Sequence, residues 1–229
     1  MWTTLFNDRR DAGRRLGEVL RPLGASSGVV VLGLPRGGIP VAFEVARLVG
    51  APLDVCVVRK LGVPGHEEVA MGAIASGGVE LLDGRTIRAL RIDQGEIVRI
   101  LAREREELAR RERAYRDDHA PVEVRGRTVI LVDDGLATGA SMIAAVTAIR
   151  QRGPRAIVVA VPVASASACA ELRRVADECV CVLTPEPFEG VGRWFADFSQ
   201  TDDDEVRELL AAARSRQSEG EPSSVGSSV

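Results

Sequence analysis

Five short apolar runs, most of them followed by a stretch long enough for a helix, constrain this chain more than anything else in it. They are Val29–Leu34 within GVVVLGLP, Leu53–Val58, Thr128–Val132, Ala156–Val161 and Glu178–Leu183. Val, Ile and Leu dominate them, with little polar alternation, the pattern of strands buried on both faces. Residues Ile39–Val49, Ala140–Gln151 and Ser165–Val175 fall between them as helices. Strands separated by crossover helices pair in parallel, so the expected fold is α/β, a Rossmann-like, mainly parallel sheet flanked by helices. A chain of 229 residues suits one such domain with decorations.

The decorations can be placed coarsely. A helix is predicted over Asn7–Leu23, with Leu16, Val19, Leu20 and Leu23 at helical spacing. Residues 61–68 (LGVPGHEE) read as a loop, and weaker strand signals follow at Val69–Ile74 and Val79–Leu82. Residues 93–118 predict a long charged helix within an insertion at about 84–118, its stripe Ile97, Leu101, Leu108 and Tyr115 spaced by four or seven. Glu106–Arg110, Glu107–Arg111 and Glu112–Arg116 have the favourable i, i+4 order. Six arginines and six acids cancel between Arg103 and Asp118, which makes this a solvated helix rather than a nucleic-acid arm, with its stripe open to a homodimer contact. A last helix is expected from Asp202 to about Arg214. Residues 1–215 then form a single domain, and 216–229 a mobile polar tail.

Charge narrows the function classes. Thirty basic residues against thirty-three acidic leave a net charge of -3, so no broad nucleic-acid face is expected. No run approaches the apolar length of a membrane helix, and MWTTLFNDRR lacks the core of a secretory signal, which points to the cytoplasm. The four cysteines, Cys56, Cys169, Cys179 and Cys181, form no CxxC pair and are expected to act as small buried hydrophobes. All the basic residues are arginine except one, Lys60, which singles that lysine out.

The chemistry concentrates in VILVDDGLATGASM, Val129 to Met142. An apolar strand ends in two acids, and a turn containing glycine and threonine opens a helix. Ligands of open α/β sheets bind beyond the carboxyl ends of strands. The backbone N–H groups of a turn entering a helix suit a phosphate. Two acids just before it suit sugar hydroxyls or a metal attached to that phosphate. No lysine lies near, which excludes a Walker A loop, and GxGxxG follows neither early strand.

This segment resembles the motif by which type I phosphoribosyltransferases bind phosphoribosyl pyrophosphate (PRPP). The resemblance implies that Asp133 and Asp134 hold the ribose 2′ and 3′ hydroxyls, partly through Mg²⁺ and its waters. It implies that Ala137, Thr138, Gly139, Ala140 and Ser141 wrap the 5′-phosphate. Leu34-Pro35-Arg36-Gly37-Gly38 is similar to the family's pyrophosphate loop, in which a cis peptide is often found, and here the sequence leaves that open. Arg59-Lys60 resembles the Arg-Lys pair that meets the pyrophosphate in several members. Val63–Met71 corresponds to the flexible catalytic loop, with His66, Glu67 and Glu68 as candidates there. The irregular segment 184–200 is the candidate hood over the acceptor, with Phe188 and Trp194 able to stack a flat ring, and the N-terminal helix is a further contributor. Ala137 stands where 6-oxopurine enzymes carry an acid, which lowers the expectation of hypoxanthine–guanine activity. The set GLPRGG, RKLG and VDDGLATG is nearest to uncharacterised bacterial phosphoribosyltransferases.

The function so implied is Mg²⁺-dependent transfer of phosphoribosyl from PRPP to a nitrogen acceptor, a purine or pyrimidine base of salvage metabolism, with pyrophosphate released. Asp133, Asp134 and Lys60 are the candidate catalytic residues. The alternative is a regulatory protein that binds PRPP or a nucleotide with little turnover, and it would carry a DNA-binding module that this sequence lacks.

Overall fold

The computed structural model describes residues 5–117 and 119–220, the side chains of Glu68 and Glu219 excepted. The elements run α1 (Arg9–Leu20), β1 (Val29–Gly33), α2 (Gly38–Val49), β2 (Leu53–Val55), β3 (Val58–Val63), β4 (His66–Ala75), β5 (Val79–Leu82), α3 (Gly84–Ala89), α4 (Gln94–Arg116), β6 (Thr128–Val132), α5 (Ala140–Gln151), β7 (Ala156–Val163), α6 (Ala166–Leu172), β8 (Glu178–Leu183) and α7 (Asp203–Gly220). Short 3₁₀ turns follow α1 and span Val191–Trp194. Side chains start several helices: Asp8, Asp93 and Ser165 each accept a backbone N–H in the first turn of α1, α4 and α6.

Five strands form one sheet in the order β2-β1-β6-β7-β8, every neighbouring pair parallel. Successive side chains of a strand point to opposite faces, and the apolar runs fill both. Val29 and Val31 of β1, with Ile130 and Val132 of β6, face α1, α2, α4 and α7. Val30, Leu32, Val129 and Leu131 face α5 and α6. The continuous apolar runs of the sequence are therefore the centre of a three-layer α/β domain. No helix of the described residues is long and apolar enough to cross a membrane.

Four expectations are corrected. The run Leu53–Val58 is not one strand: β2 ends at Val55, and Val58 opens β3 in a second, antiparallel sheet of order β3-β4-β5. Residues 61–68 are not a loop but the close of β3, a Pro64-Gly65 turn with Gly65 at φ +75, and the start of β4. Local sequence reads these polar, glycine-rich residues as loop, whereas cross-strand pairing from Val58↔Ala75 to Val63↔His66 makes them strand. His66 and Glu67 are thus exposed positions of a hairpin, and the side chain of Glu68 lies outside those described. The stripe Ile97, Leu101, Leu108 and Tyr115 is spent inside the chain, against the core beneath α4, rather than left for a dimer partner. Finally, α7 continues to Gly220, so residues 216–220 of the expected tail are helical, and 221–229 lie outside the described residues.

Candidate active site

The sheet reverses its direction of travel between β1 and β6. From β1 the chain moves outward to β2, and from β6 it moves the other way to β7 and β8. The crevice beyond the carboxyl ends of these two strands is where open α/β sheets bind ligands. Two loops meet there. Residues 34–37 leave β1, tied to β6 by the Leu34 N–H donating to Val132 O at 2.8 Å, and the Pro35–Arg36 peptide is cis. Residues 133–139 leave β6.

Glycine is what lets the loops touch. A Cβ on Gly37 would collide with the Asp134 carboxylate, and one on Gly38 would stand 2.9 Å from both Asp133 Cα and Val132 O. The Gly37-Gly38 backbone therefore lies directly against the two acids.

The acids are short of compensation. Asp133 Oδ1 accepts the Asp134 N–H at 2.9 Å. Burial, reinforced by its neighbour's charge, pushes the Asp133 carboxyl well above its usual range. Burial also raises Asp134, although Arg9 opposes it. The Arg9 Nε donates to Asp134 Oδ2 at 2.8 Å with both side chains largely covered, 12% and 16% exposed. The same guanidinium also donates to Ser199 O and lies 4.0 Å above the Phe198 ring. Arg9 was not singled out by the sequence, where nothing separates it from the other arginines.

The phosphate-type turn is open. Ala137, Thr138, Ala140 and Ser141 are exposed at the start of α5, and Gly139 takes a left-handed φ of +74 just before it. The first N–H groups of a helix have no intrahelical acceptor, so they point outward here. Neighbouring elements brace the turn: Leu136 N–H donates to Val163 O at 3.0 Å, and Ser165 Oγ donates to Ala137 O at 2.7 Å.

The basic residues divide. Arg36 sits half-buried behind Pro35, within electrostatic reach of Tyr115. Lys60, exposed on β3, lines a cavity of about 380 Å³ together with Ala140 and Ser141, so it shares a space with the turn. Arg59 does not line that cavity, and its guanidinium is held by the buried carboxylate of Glu104 on α4. Sequence reasoning paired Arg59 with Lys60: the two line one cavity between the hairpin and α4, while Lys60 alone of the pair also lines the one beside Ala140. His66 is not among the residues lining this cavity, and Glu67 lines a separate one between the hairpin and α4.

The hood candidate is stitched to the N-terminus. Phe6 bridges Phe195, with Phe6 N–H donating to Trp194 O at 2.9 Å and Ala196 N–H to Phe6 O at 2.8 Å. Phe188 and Trp194 are half-buried against Phe6, Val163 and Phe195, as a small core. Phe198, under Arg9, is the hood aromatic nearest in connection to Asp134. Val191 closes on Gly135, where a Cβ would clash. The hood candidate is therefore packed jointly from residues 5–9 and 188–199.

Comparison with known proteins gives the same outline. The family model described as "Phosphoribosyl transferase domain" matches residues 10–193. Two curated proteins of Mycobacterium tuberculosis, named "Putative phosphoribosyl transferase Rv0571c" and "Putative phosphoribosyl transferase MT0597", are each 45% identical over 209 residues, covering 91% of this chain and 47% of theirs. The chain thus spans about half the length of these relatives. The crystal structure of TT1426 from Thermus thermophilus is 47% identical, covers 91% of this chain and 98% of its own, and superposes with a TM-score of 0.81.

Proposed function

The chain belongs to the phosphoribosyl transferase domain family, and on that premise we propose that it is an enzyme using PRPP and Mg²⁺. It would transfer the phosphoribosyl group to a nitrogen acceptor, a nucleobase of cytoplasmic salvage metabolism. One observation carries this reading. The Gly37-Gly38 backbone closes on Asp133 and Asp134 immediately beside an open helix start at Ala140, so acids suited to a diol adjoin a turn suited to a phosphate.

Each residue then has a task. The backbone amides of 137–141, with the hydroxyls of Thr138 and Ser141, hold the 5′-phosphate. Asp133 and Asp134 accept hydrogen bonds from the ribose hydroxyls, which fixes the sugar for displacement at its anomeric carbon. Their oxygens also fit a hard cation: two adjacent carboxylates lie above their usual pKa because they are buried, Asp133 also because of its neighbour's charge, and Arg9 bonds only Asp134. Asp133 and Asp134 would hold Mg²⁺, which would supply neutralisation of the leaving pyrophosphate. Arg36 and Lys60 add positive charge from either side, and Gly37 and Gly38 offer backbone N–H groups. Arg59 reaches this anion only by leaving Glu104, so its first role is to anchor β3 to α4. The hairpin carrying His66, Glu67 and Glu68 would have to close over the bound sugar from the Lys60 side to exclude water from a cationic sugar-like transition state. The acceptor stacks in the hood, for which Phe188, Trp194 and Phe198 are the candidates. With alanine at position 137, no side chain there exchanges a ring proton with it.

The test is calorimetry with Mg·PRPP, followed by a panel of nucleobases and small amines scored by pyrophosphate release. Wild-type protein should bind, and Asp134→Asn should bind at least tenfold more weakly while remaining folded. Equal affinity in the two overturns the assignment. Tight binding with no turnover on any acceptor assigns a PRPP-responsive regulator instead.

A further inference from the structure

We propose that Cys169, Cys179 and Cys181 form a binding site for one thiophilic divalent cation of the zinc class. Three of the four cysteines, one on α6 and two on β8, come together: their sulfurs all lie within 4.8 Å of one another. Cys179 and Cys181 are two apart on β8 and so stand on the same face of the sheet. The crossover from β7 through α6 lays the buried Cys169 onto that face. The fourth cysteine, Cys56, belongs to the link between β2 and β3 and takes no part.

Geometry and chemistry both favour a soft metal. Ligand sulfurs about 2.3 Å from a tetrahedral ion lie roughly 3.8 Å apart, and Cys179 Sγ and Cys181 Sγ are 3.8 Å apart. Cys169 Sγ lies 2.7 Å from Cys181 Sγ, so the third sulfur also converges on the same point. No carboxylate or imidazole joins the set among the described residues, and an all-sulfur set discriminates against Mg²⁺ and Ca²⁺. Cys179 and Cys181 are only partly covered, which leaves an entry path and a fourth position for water. Binding replaces three S–H bonds by three metal–sulfur bonds, releases three protons and leaves one net negative charge. Arg173, electrostatically coupled to Cys169 and Cys179, offsets that charge. The ion would clamp α6 to β8, one helical turn beyond Ser165, the residue that braces Ala137. The proposal is independent of the phosphoribosyl reading.

The experiment titrates the reduced, chelator-treated full chain with Cd²⁺, following thiolate-to-metal charge-transfer absorption, and then repeats it with Zn²⁺ in competition. One equivalent should bind, Zn²⁺ should displace it, and Cys179→Ser should weaken binding at least a hundredfold. Cys56→Ala should bind as wild type does. Cys179 is partly exposed, so its serine variant is expected to fold, which circular dichroism checks. Absence of saturable binding, or unchanged affinity in Cys179→Ser, overturns the proposal. So does a Cys169–Cys181 disulfide in freshly purified, metal-free protein, seen by mass spectrometry as the loss of two hydrogens, which would assign a redox pair.

Discussion

Two aspartate–arginine pairs link distant parts of this chain, and they are built for different ends. Asp54 on β2 takes Arg116 Nε at 2.8 and 3.1 Å, and the Val122 and Val55 N–H groups at 3.0 and 2.7 Å. Arg116 spends its remaining donors on Glu112 and Val55 O, both within 2.8 Å. That network is closed, and it holds α4 to the edge of the main sheet. Beyond β6, by contrast, Asp134 is bound by the Arg9 guanidinium and Asp133 accepts the Asp134 N–H, and burial keeps both pKa values raised. A buried charge saturated by its own chain is structural, whereas one left short of partners in a crevice is a place for a ligand.

The largest effect expected on this contrast comes from Arg116→Ala. It strands Asp54 without its cation, and breaking a buried pair costs about 3–5 kcal/mol. Urea unfolding measures it, and a loss under ~1 kcal/mol would mean that the network is not closed.

Next comes Gly38→Ala. The new methyl would meet backbone atoms of Val132 and Asp133 at 2.9 Å, neither of which can rotate away. Overpacking of this kind costs about 1–3 kcal/mol, and the variant should lose Mg·PRPP binding as the two loops part. Retained binding would separate the glycines from the acids.

Asp133→Asn should have the opposite sign on stability. A carboxyl whose folded pKa is raised above its unfolded value of 3.8 favours folding while protonated, and that contribution is lost as pH climbs through the folded pKa. The amide avoids this loss. The variant should therefore be more stable than wild type at neutral pH, by about 1 kcal/mol or a few degrees in Tm, and indistinguishable below pH 3.8, while PRPP binding falls. Equal melting curves at neutral pH would show that the charge is already compensated.

The smallest change is expected for Arg9→Gln. The pair is largely covered, but Asp134, already raised by burial, can take up a proton once Arg9 is gone, so stability should move by only about 1 kcal/mol. Removing the group that opposes the rise should nonetheless shift the Asp134 titration further up, read by carbon NMR of the carboxyl. A static titration would show that Arg9 does not govern that acid.

The legibility of the two regions from sequence differs in the same way. The Asp133-Asp134 pair and the turn after it could be read because strand, acids, glycine and helix start are contiguous in the chain. Asp54 and Arg116 were unremarkable, since their partnership joins residues 62 apart. The i, i+4 pairing of Glu107 with Arg111 and of Glu112 with Arg116 was readable and forms, but Arg110 turns to Glu107 rather than Glu106.

The sequence by itself determined the parallel sheet, because runs buried on both faces carry their own signature, and it determined the β6 crevice motif, because turn chemistry is local. Tertiary structure alone decided that Arg9 reaches Asp134 across 125 residues and that residues 58–63 leave the main sheet for a hairpin. It also decided that Arg59 turns to Glu104 and that Cys169 of α6 converges with Cys179 and Cys181 of β8. Each of these depends on which faces the crossovers bring together. A side chain's own neighbours in the chain do not specify that, because the energy deciding it belongs to burial shared between distant segments.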